Sequence, residues 1–407
     1  MFGGNGAMAD RIILHCDLNN FFASVSLLSN PTLYDLPVAV CGSKEERHGI
    51  VLAKNERAKS CGVKTAEAIW EAKSKCPDLI ILPPDYKAYR HYSEETRKIL
   101  LRYTDLVEPF GIDESWLDVT GSTLLFGDGE TIANRIRRDV RSELGLTVSV
   151  GVSFNKIFAK LGSDMKKPDA VTVISRENYR DKVWRLPVEN LLFVGKSTAS
   201  RLHSCGIFTI GDITECDSAV LHRLLGKNGD QLKKYALGED NSPVTPPSGD
   251  DVPKSIGRSV TPPYDITCPE QVWEIYLELA EDIAGKLRRH GLFAGGLQVH
   301  TRTLSLVTKE YSRTLAVPLN TSMSIARRGM ELFKESCGWE SPLRSVGLRA
   351  INLKDGSCAV QQDMFGDNAR DEKDEVIESS MENLRERFGK GSIRRGRNLN
   401  GRETEER

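Results

Sequence analysis

Glu108-Pro-Phe-Gly-Ile-Asp-Glu-Ser-Trp-Leu-Asp118 sets two acids, Asp113 and Glu114, side by side between alternating apolar segments at Leu106 to Phe110 and Trp116 to Val119. That pattern predicts two strands joined by a tight connection, with both carboxylates at the turn. Neighbouring side chains on a regular strand point to opposite faces, so only a turn lets these acids converge. Converging carboxylates repel, and a raised pKa or a bound cation relieves the repulsion. Alone, the stretch fits an exposed acidic hairpin as well as a metal site. The sequence on either side decides between them.

Upstream, Ile12-Ile-Leu-His-Cys-Asp17 reads as an apolar strand ending in a third carboxylate, then Leu18-Asn19-Asn20 as a connection and Phe21 to Leu28 as a helix. Tyr86 to Tyr103 predicts a long amphipathic helix leading into the hairpin. Downstream, Thr131 to Leu144 reads as a basic-faced helix, Thr147 to Val152 as an alternating strand, and Asn155 to Lys160 as the start of another helix. Ser43 to Pro84 is set aside as an insertion, with strands at His48–Lys54 and Leu79–Leu82 and helices at Asn55–Ser60 and Ala66–Lys73. Pro37-Val-Ala-Val-Cys41 reads as a second strand before Gly42, and the remainder is taken as β-α-β-β-α-β, the split βαβ or ferredoxin-like order. In that topology the first and third strands are neighbours, and Asp17 falls beside the Asp113-Glu114 hairpin. The exposed-hairpin reading then loses most of its weight. Oxygen donors alone suit a hard ion, Mg²⁺ or Mn²⁺. Two such ions about 3.5–4 Å apart can activate a hydroxyl and stabilise a leaving pyrophosphate. His15 and Cys16 are assigned to sheet packing rather than ligation.

At 407 residues the chain exceeds a single core and should divide into domains. No apolar run reaches the length of a membrane span and no signal peptide opens the chain, so a cytoplasmic protein with no membrane contact is expected. Nine cysteines without a Cys-x-x-Cys pair point to reduced thiols rather than structural zinc. The net charge of −1 decides nothing, because basic clusters such as Lys156 to Lys167 and Arg394 to Arg397 cancel acidic ones. Met1 to Ala7 reads as an extension.

Beyond Ser175 the pattern turns helical. Val194-Gly-Lys-Ser-Thr198, with Leu202 and Gly206-Ile207, reads as a helix-hairpin-helix, which offers backbone N–H groups to phosphates. A nucleotide P-loop is rejected because Asn190 stands where its first glycine belongs. Asn241 to Pro253 reads as a linker. Lys254 to Leu353 reads as a second α/β unit, with Arg258, Arg302, Arg313 and Arg349 expected on one phosphate-tracking face. A polar, mobile tail is expected after Leu353, carrying the isolated peptide Gln361-Gln-Asp-Met-Phe365 and a weak helix at Val376–Phe388.

Asp17-Leu-Asn-Asn-Phe-Phe-Ala-Ser-Val25 and Gly111-Ile-Asp-Glu-Ser-Trp-Leu-Asp-Val-Thr120 resemble the two palm motifs of Y-family DNA polymerases, in the DNA polymerase IV (DinB-like) branch. Val150 to Lys160, Asp164-Met-Lys-Lys-Pro168 and Lys254-Ser-Ile-Gly-Arg258 extend the resemblance, in order, from about Arg11 to Leu353. It implies an α+β multidomain fold: a ferredoxin-like palm at 8–20 and 85–174, small fingers at 21–84 and a helix-hairpin-helix thumb at 175–243. A linker at 244–253, a separate α/β little finger at 254–354 and a tail at 355–407 would follow. It also implies a monomeric, error-tolerant polymerase that copies past damaged bases, with primer-template DNA and dNTP as partners.

Carried over by position, Asp17 and Asp113 would ligate both of two Mg²⁺ ions (Mn²⁺ being possible), and Glu114 the ion that activates the primer 3′-hydroxyl. The Leu18 carbonyl would complete the nucleotide-bound ion. Phe22 matches the steric gate against a ribose 2′-hydroxyl, and Phe21 beside it suits core packing as well as the dNTP pocket. Lys167 matches the triphosphate lysine. DNA contacts would fall to Lys156, Lys160, Gly195, Lys196, Ser255, Arg258, Arg302 and Arg313. Gln361, Met364 and Phe365 resemble the peptide that binds the bacterial sliding clamp (β subunit), a tether that raises effective concentration.

Two stretches depart from the family. Its fingers carry Tyr-Glu-Ala-Arg where this chain has Glu56-Arg-Ala-Lys59, so Lys59 keeps a charge without the bidentate fork and Glu56 cannot donate to phosphate. Either Arg57 substitutes or nucleotide contacts weaken; Ala53, where a hydroxyl is usual, points the same way. Phe193-Val-Gly195 replaces Pro-Gly-Ile-Gly in the thumb hairpin. Slower or more selective nucleotide capture with intact chemistry is expected. One rival is another palm enzyme such as a nucleotidyl cyclase, which lacks the region after Ser175. A non-catalytic DNA- and clamp-binding scaffold is the other, and the three carboxylates argue against it.

Overall fold

The computed structural model describes residues 11–43, 47, 49–248, 252–337, 339, 341–355, 367–389 and 392–393. They gather into two units, Met1–Gly42 with Ile50–Gly249 and Ser43–Gly49 with Asp250–Arg407. The first unit begins with β1 (Ile13–Leu18), α1 (Phe21–Leu28), β2 (Val38–Cys41), β3 (Val51–Lys54), α2 (Glu56–Ser60), α3 (Ile69–Lys75) and β4 (Ile80–Leu82). It continues with α4 (Tyr86–Leu100), β5 (Val107–Pro109), β6 (Glu114–Asp118), α5 (Thr123–Phe126), α6 (Gly129–Leu144), β7 (Val148–Ser153), α7 (Lys156–Met165) and β8 (Val171–Ile174).

The main sheet has the order β5-β6-β1-β7-β8, which is the expected ferredoxin-like arrangement with one strand added. The addition, β8, pairs parallel to β7. Sequence alone passes over it, because four apolar-alternating residues between a Lys-Pro turn and a helical region carry too little periodicity. Strand alternation then divides β1 between two faces. Leu14, Cys16 and Leu18 pack with Tyr89 and Ile99 of α4 and with Ile132, Ile136 and Val140 of α6. Ile13 joins Trp116 and Ala159 of α7 on the other side, so His15 and Asp17 share the α7 face. The i, i+4, i+8 spacing in α6 is what fills the first face; cutting Ile136 back to alanine there would cost about 2–5 kcal/mol.

β2, which precedes the expected insertion, joins the insertion's strands as the middle of a second sheet, in the order β3-β2-β4. Asn55 ties it to α2, capping the Ala58 N–H at 3.0 Å while bonding Val38 and Leu36. After β8 come α8 (Tyr179–Val183), α9 (Lys196–Ser204), α10 (Ile210–Glu215), α11 (Ser218–Leu225) and α12 (Lys227–Leu237), closed over Leu202, Ile210, Ile213 and Leu221. The start of the expected linker is docked rather than free. Val244 is buried with Ile13 and Trp116, and the Thr245 N–H donates to Glu108 at 2.7 Å.

The second unit holds β9 (Ile256–Val260), α13 (Pro269–Arg289), β10 (Leu292–Thr303), β11 (Thr308–Leu319), α14 (Ser322–Ser336), β12 (Leu343–Ile351), β13 (Lys354–Asp355) and α15 (Asp367–Phe388). Its sheet order is β11-β10-β12-β9, with β13 paired to β10, and α13 and α14 pack on one face. The expectation that four arginines share a face is corrected here. Arg258 pairs across the sheet with Leu348 and Arg313 with Leu297, both buried under the helices. Accordingly Arg258 lies 3.8 Å from Asp282 of α13, and Arg313 pairs with Glu335 of α14. Arg349 pairs with Gln298 on the open face, which Arg302 shares by alternation.

The expectation of a mobile tail is corrected for 367–389. α15 is anchored through Glu378, which accepts from the Ser322 N–H at 2.9 Å and from Arg288 at 2.7 Å, while Arg385 reaches Glu281 at 3.2 Å. A capped helix N-terminus and a half-buried guanidinium explain why so polar a helix stays docked. Gln361, Met364 and Phe365 lie outside the described residues.

Candidate active site

Strand register assembles the acids. Asp17 on β1 lies opposite Glu114 on β6 and opposite Ser149 on β7. Asp113 precedes β6 by one residue, outside the regular pleat, and its carbonyl accepts the Leu18 N–H at 3.1 Å. This is how adjacent residues 113 and 114 both reach Asp17, which is 5% exposed. The turn is braced from α4, where the Ser93 hydroxyl donates to the Ile112 carbonyl.

Helix α7 closes the face. It is capped by Asn155, whose side chain accepts the Phe158 N–H at 2.8 Å. Gly151 lets it approach, since any Cβ there would collide with the Ala159 carbonyl. The close approach brings Lys160 Nζ to 3.0 Å from Glu114, 3.2 Å from Asp17 and 3.2 Å from Asp164. From the turn after α7, Lys167 Nζ stands 2.8 Å from both Asp17 and Asp164. Lys160, expected on DNA, therefore sits among the acids, and Asp164 joins them unforeseen.

Burial raises the Asp113 carboxyl to about 6, with the charges of Asp17 and Glu114 adding to the effect. Burial also pushes Glu114 upward, but His15 and the Lys160 ammonium outweigh it and hold the group down at about 2. Burial disfavours the Lys160 and Lys167 ammonium groups, yet the surrounding carboxylates win and raise both. Among the described residues no three acidic, histidine or cysteine side chains are drawn together as a ready ion cage. The two ammonium groups stand between the acids instead. Asp17, Asp113, Glu114 and the Leu18 carbonyl nonetheless supply an oxygen-only donor set, and Asp113 carries the electrostatic strain that a divalent cation removes. The residues fit a hard metal ion.

The remaining expected residues separate into groups. Phe22 is half-buried and stacked on Tyr89, with centroids 4.1 Å apart and planes at 6°, so α4 backs the ring that resemblance assigns to the gate. Phe21 lies in the core, where an ordinary core phenylalanine was the alternative to the dNTP pocket. The Lys156 ammonium is held 2.6 Å from Glu108 and 4.5 Å from the Trp116 ring centroid. Lys59 bonds Glu56 at 3.3 Å, and Glu56 accepts from Asn20 at 2.9 Å. Arg57 reaches Asp35 at 3.4 Å instead of taking over from Lys59. Gly195 and Lys196 are exposed at the start of α9, and Ser255 is half-buried just before β9. His15, assigned to packing, does meet Trp116 edge-on, but it also lies 2.8 Å from Ser163 and 3.6 Å from Glu114. Its i, i+2 relation to Asp17 was the available signal.

Carboxylates on adjacent central strands of a ferredoxin-like sheet, flanked by lysines, define the palm of a metal-dependent nucleotidyltransferase. Residues 16–164 match the model of the impB/mucB/samB family, and residues 253–364 match that family's C-terminal domain. A DNA polymerase IV from Acetivibrio thermocellus is 48% identical over 95% of this chain and 97% of its own length. DNA polymerase IV 1 of Bacillus subtilis is 38% identical over 96% and 93%. A Y-family DNA polymerase chimera of Dbh and Dpo4 superposes with a TM-score of 0.75 at 25% identity, covering 84% of this chain and 99% of that one. The chain belongs to the impB/mucB/samB family of Y-family DNA polymerases, in the DNA polymerase IV branch.

Proposed function

We propose that this chain extends a primer 3′-hydroxyl along template DNA, with low fidelity and past damaged bases, using two Mg²⁺ ions held by Asp17, Asp113, Glu114 and the Leu18 carbonyl. The observation that carries it is the register of Asp17 against Glu114, with Asp113 at the adjoining turn. When bound, the ions lower the pKa of the attacking hydroxyl and offset charge on the leaving pyrophosphate. Asp17 and Asp113 would hold both ions, and Glu114 would orient the primer side. On this reading Lys160 and Lys167 give up carboxylate partners as ions enter, which frees Lys167 to meet the triphosphate. Phe22, rigid against Tyr89, would exclude a ribose 2′-hydroxyl by contact. The open face of the second unit's sheet, with Arg302 and Arg349, and the exposed start of α9 at Gly195-Lys196 would follow the DNA backbone.

Primer extension on undamaged and lesion-bearing templates tests the reading. Wild type should extend only with divalent metal, and the Asp113→Ala/Glu114→Ala double variant should not extend. Absence of Mg²⁺-dependent extension by wild type would sink it in favour of a DNA-binding scaffold. The tail peptide at Gln361, Met364 and Phe365 supports a sliding clamp as partner. Loss of clamp-stimulated processivity, with basal extension kept, is expected on Met364→Ala/Phe365→Ala.

A further inference from the structure

Asn19 follows the Leu18 strand end and precedes α1, and it is 5% exposed. Each of its polar groups is engaged. The backbone N–H donates to the Thr147 carbonyl at 2.9 Å, and the carbonyl accepts from the Ser24 hydroxyl at 2.8 Å. Its Nδ2 donates to Ser149 Oγ at 2.9 Å, and its Oδ1 accepts the Asp169 N–H at 2.8 Å. One amide thus joins β1 and β7 to the turn that carries Lys167.

Asp169 lies two residues beyond Lys167 at φ +53, a left-handed conformation that needs outside support. It is gripped from the other side as well. Arg137 Nε bonds its carboxylate at 3.0 Å, Arg141 adds a second contact to that carboxylate, and Arg137 also donates to its carbonyl. The turn is therefore fixed between Asn19 and α6, and Lys167 projects from it to 2.8 Å from Asp17.

We infer that Asn19 is a positioning residue that sets the reach of the Lys167 ammonium through the Asp169 N–H. Nucleotide affinity then depends on a side chain that touches neither nucleotide nor metal. The inference rests on Lys167 meeting the triphosphate. An aspartate at this position keeps the acceptor for Asp169, while the Ser149 hydroxyl rotates to donate to it. Alanine takes away the acceptor of the part-buried Asp169 N–H and lets the turn drift.

Single-nucleotide incorporation kinetics on an undamaged primer-template test this, with folding of each variant followed by circular dichroism. Asn19→Ala should raise the dNTP KM about tenfold with kcat changed less than about threefold, the pattern of lost binding rather than lost chemistry. Asn19→Asp should stay within about threefold of wild type. In a Lys167→Ala background, Asn19→Ala should add nothing to KM. Additive effects, a fall in kcat at unchanged KM, or an Asn19→Asp variant as impaired as Asn19→Ala would each overturn the inference. Should Asn19→Ala fail to fold, Ser149→Ala decides. A KM increase of about threefold that vanishes in the Lys167→Ala background supports the inference, and an unchanged KM overturns it. If Lys167→Ala itself leaves KM unchanged, the reading of Lys167 fails instead, which separates the two failures.

Discussion

The acids on the central sheet and the short helix α2 in the fingers stand at opposite ends of one scale. Asp17 is buried at a paired strand position and held by two ammonium groups, with α7 pressed against it by the missing side chain of Gly151. Lys59, by contrast, hangs from a five-residue helix with its side chain 49% exposed and its charge spent on Glu56. The acids proposed to do the chemistry are set in rigid structure, whereas the residue expected to capture nucleotide is on a thin, solvated helix. Preorganisation protects catalysis in a way that exposed contacts cannot match. One of the two stretches read as departing from the family, Glu56 to Lys59, falls in this exposed helix.

The strongest way to break this contrast is at the acids. Asp17→Ala should lower the incorporation rate by at least about a thousandfold in single-turnover assays, because it removes the oxygen ligand proposed to be shared by both ions. A residual rate near a tenth of wild type would mean that the rigid site is not the reactive one.

Protonation gives the next test. On the proposed ligand set, a divalent ion would have to displace the proton that burial lets Asp113 retain up to about pH 6. Apparent Mg²⁺ affinity, read from incorporation rate against metal concentration, should therefore fall as pH drops below 6, approaching tenfold per unit. The stability sign is opposite. In metal-free protein this raised carboxyl holds a proton that the unfolded chain has lost, so its contribution weakens as pH rises from about 4 to 6. Metal affinity that is flat from pH 5 to 7 would remove Asp113 from the ligand set.

Smaller effects belong to the fingers and the hairpin. Lys59→Arg, which restores a two-pronged donor, should lower the dNTP KM about three- to tenfold with kcat unchanged. An unaltered KM would show that α2 does not face the triphosphate. Phe193 is 62% exposed at φ +71, where a bulky side chain is strained. Phe193→Gly should stabilise the protein by about 1 kcal/mol, partly offset by the lost Tyr235 contact, and raise Tm by a few degrees.

What the sequence made legible was whatever strand alternation controls. Asp17, Asp113 and Glu114 could be brought together because register in a ferredoxin-like sheet follows from element order. The arginine faces of the second unit were equally open to parity counting, since Arg313 alternates with Tyr311 and Leu315 on the packed face. Charge composition was the wrong guide there. Lys156 and Lys160 could not be resolved from spacing, because their partners Glu108, Asp17 and Glu114 come from strands distant in the chain. The docking of α15 was hidden for the same reason: Glu378 finds Arg288 and the start of α14 across long separations, and the helix's own sequence is too polar to announce a buried contact.

Gly151 has a consequence for how this enzyme can vary. A single methyl group at that position collides with the backbone of α7, so the helix would have to retreat from the sheet and take Lys160 with it. Activity could then be lost without altering any charged residue, through a change that composition would score as trivial. The separation of opposite charges across the active site is, in effect, gauged by one hydrogen atom. Mutational surveys confined to polar positions would pass over it.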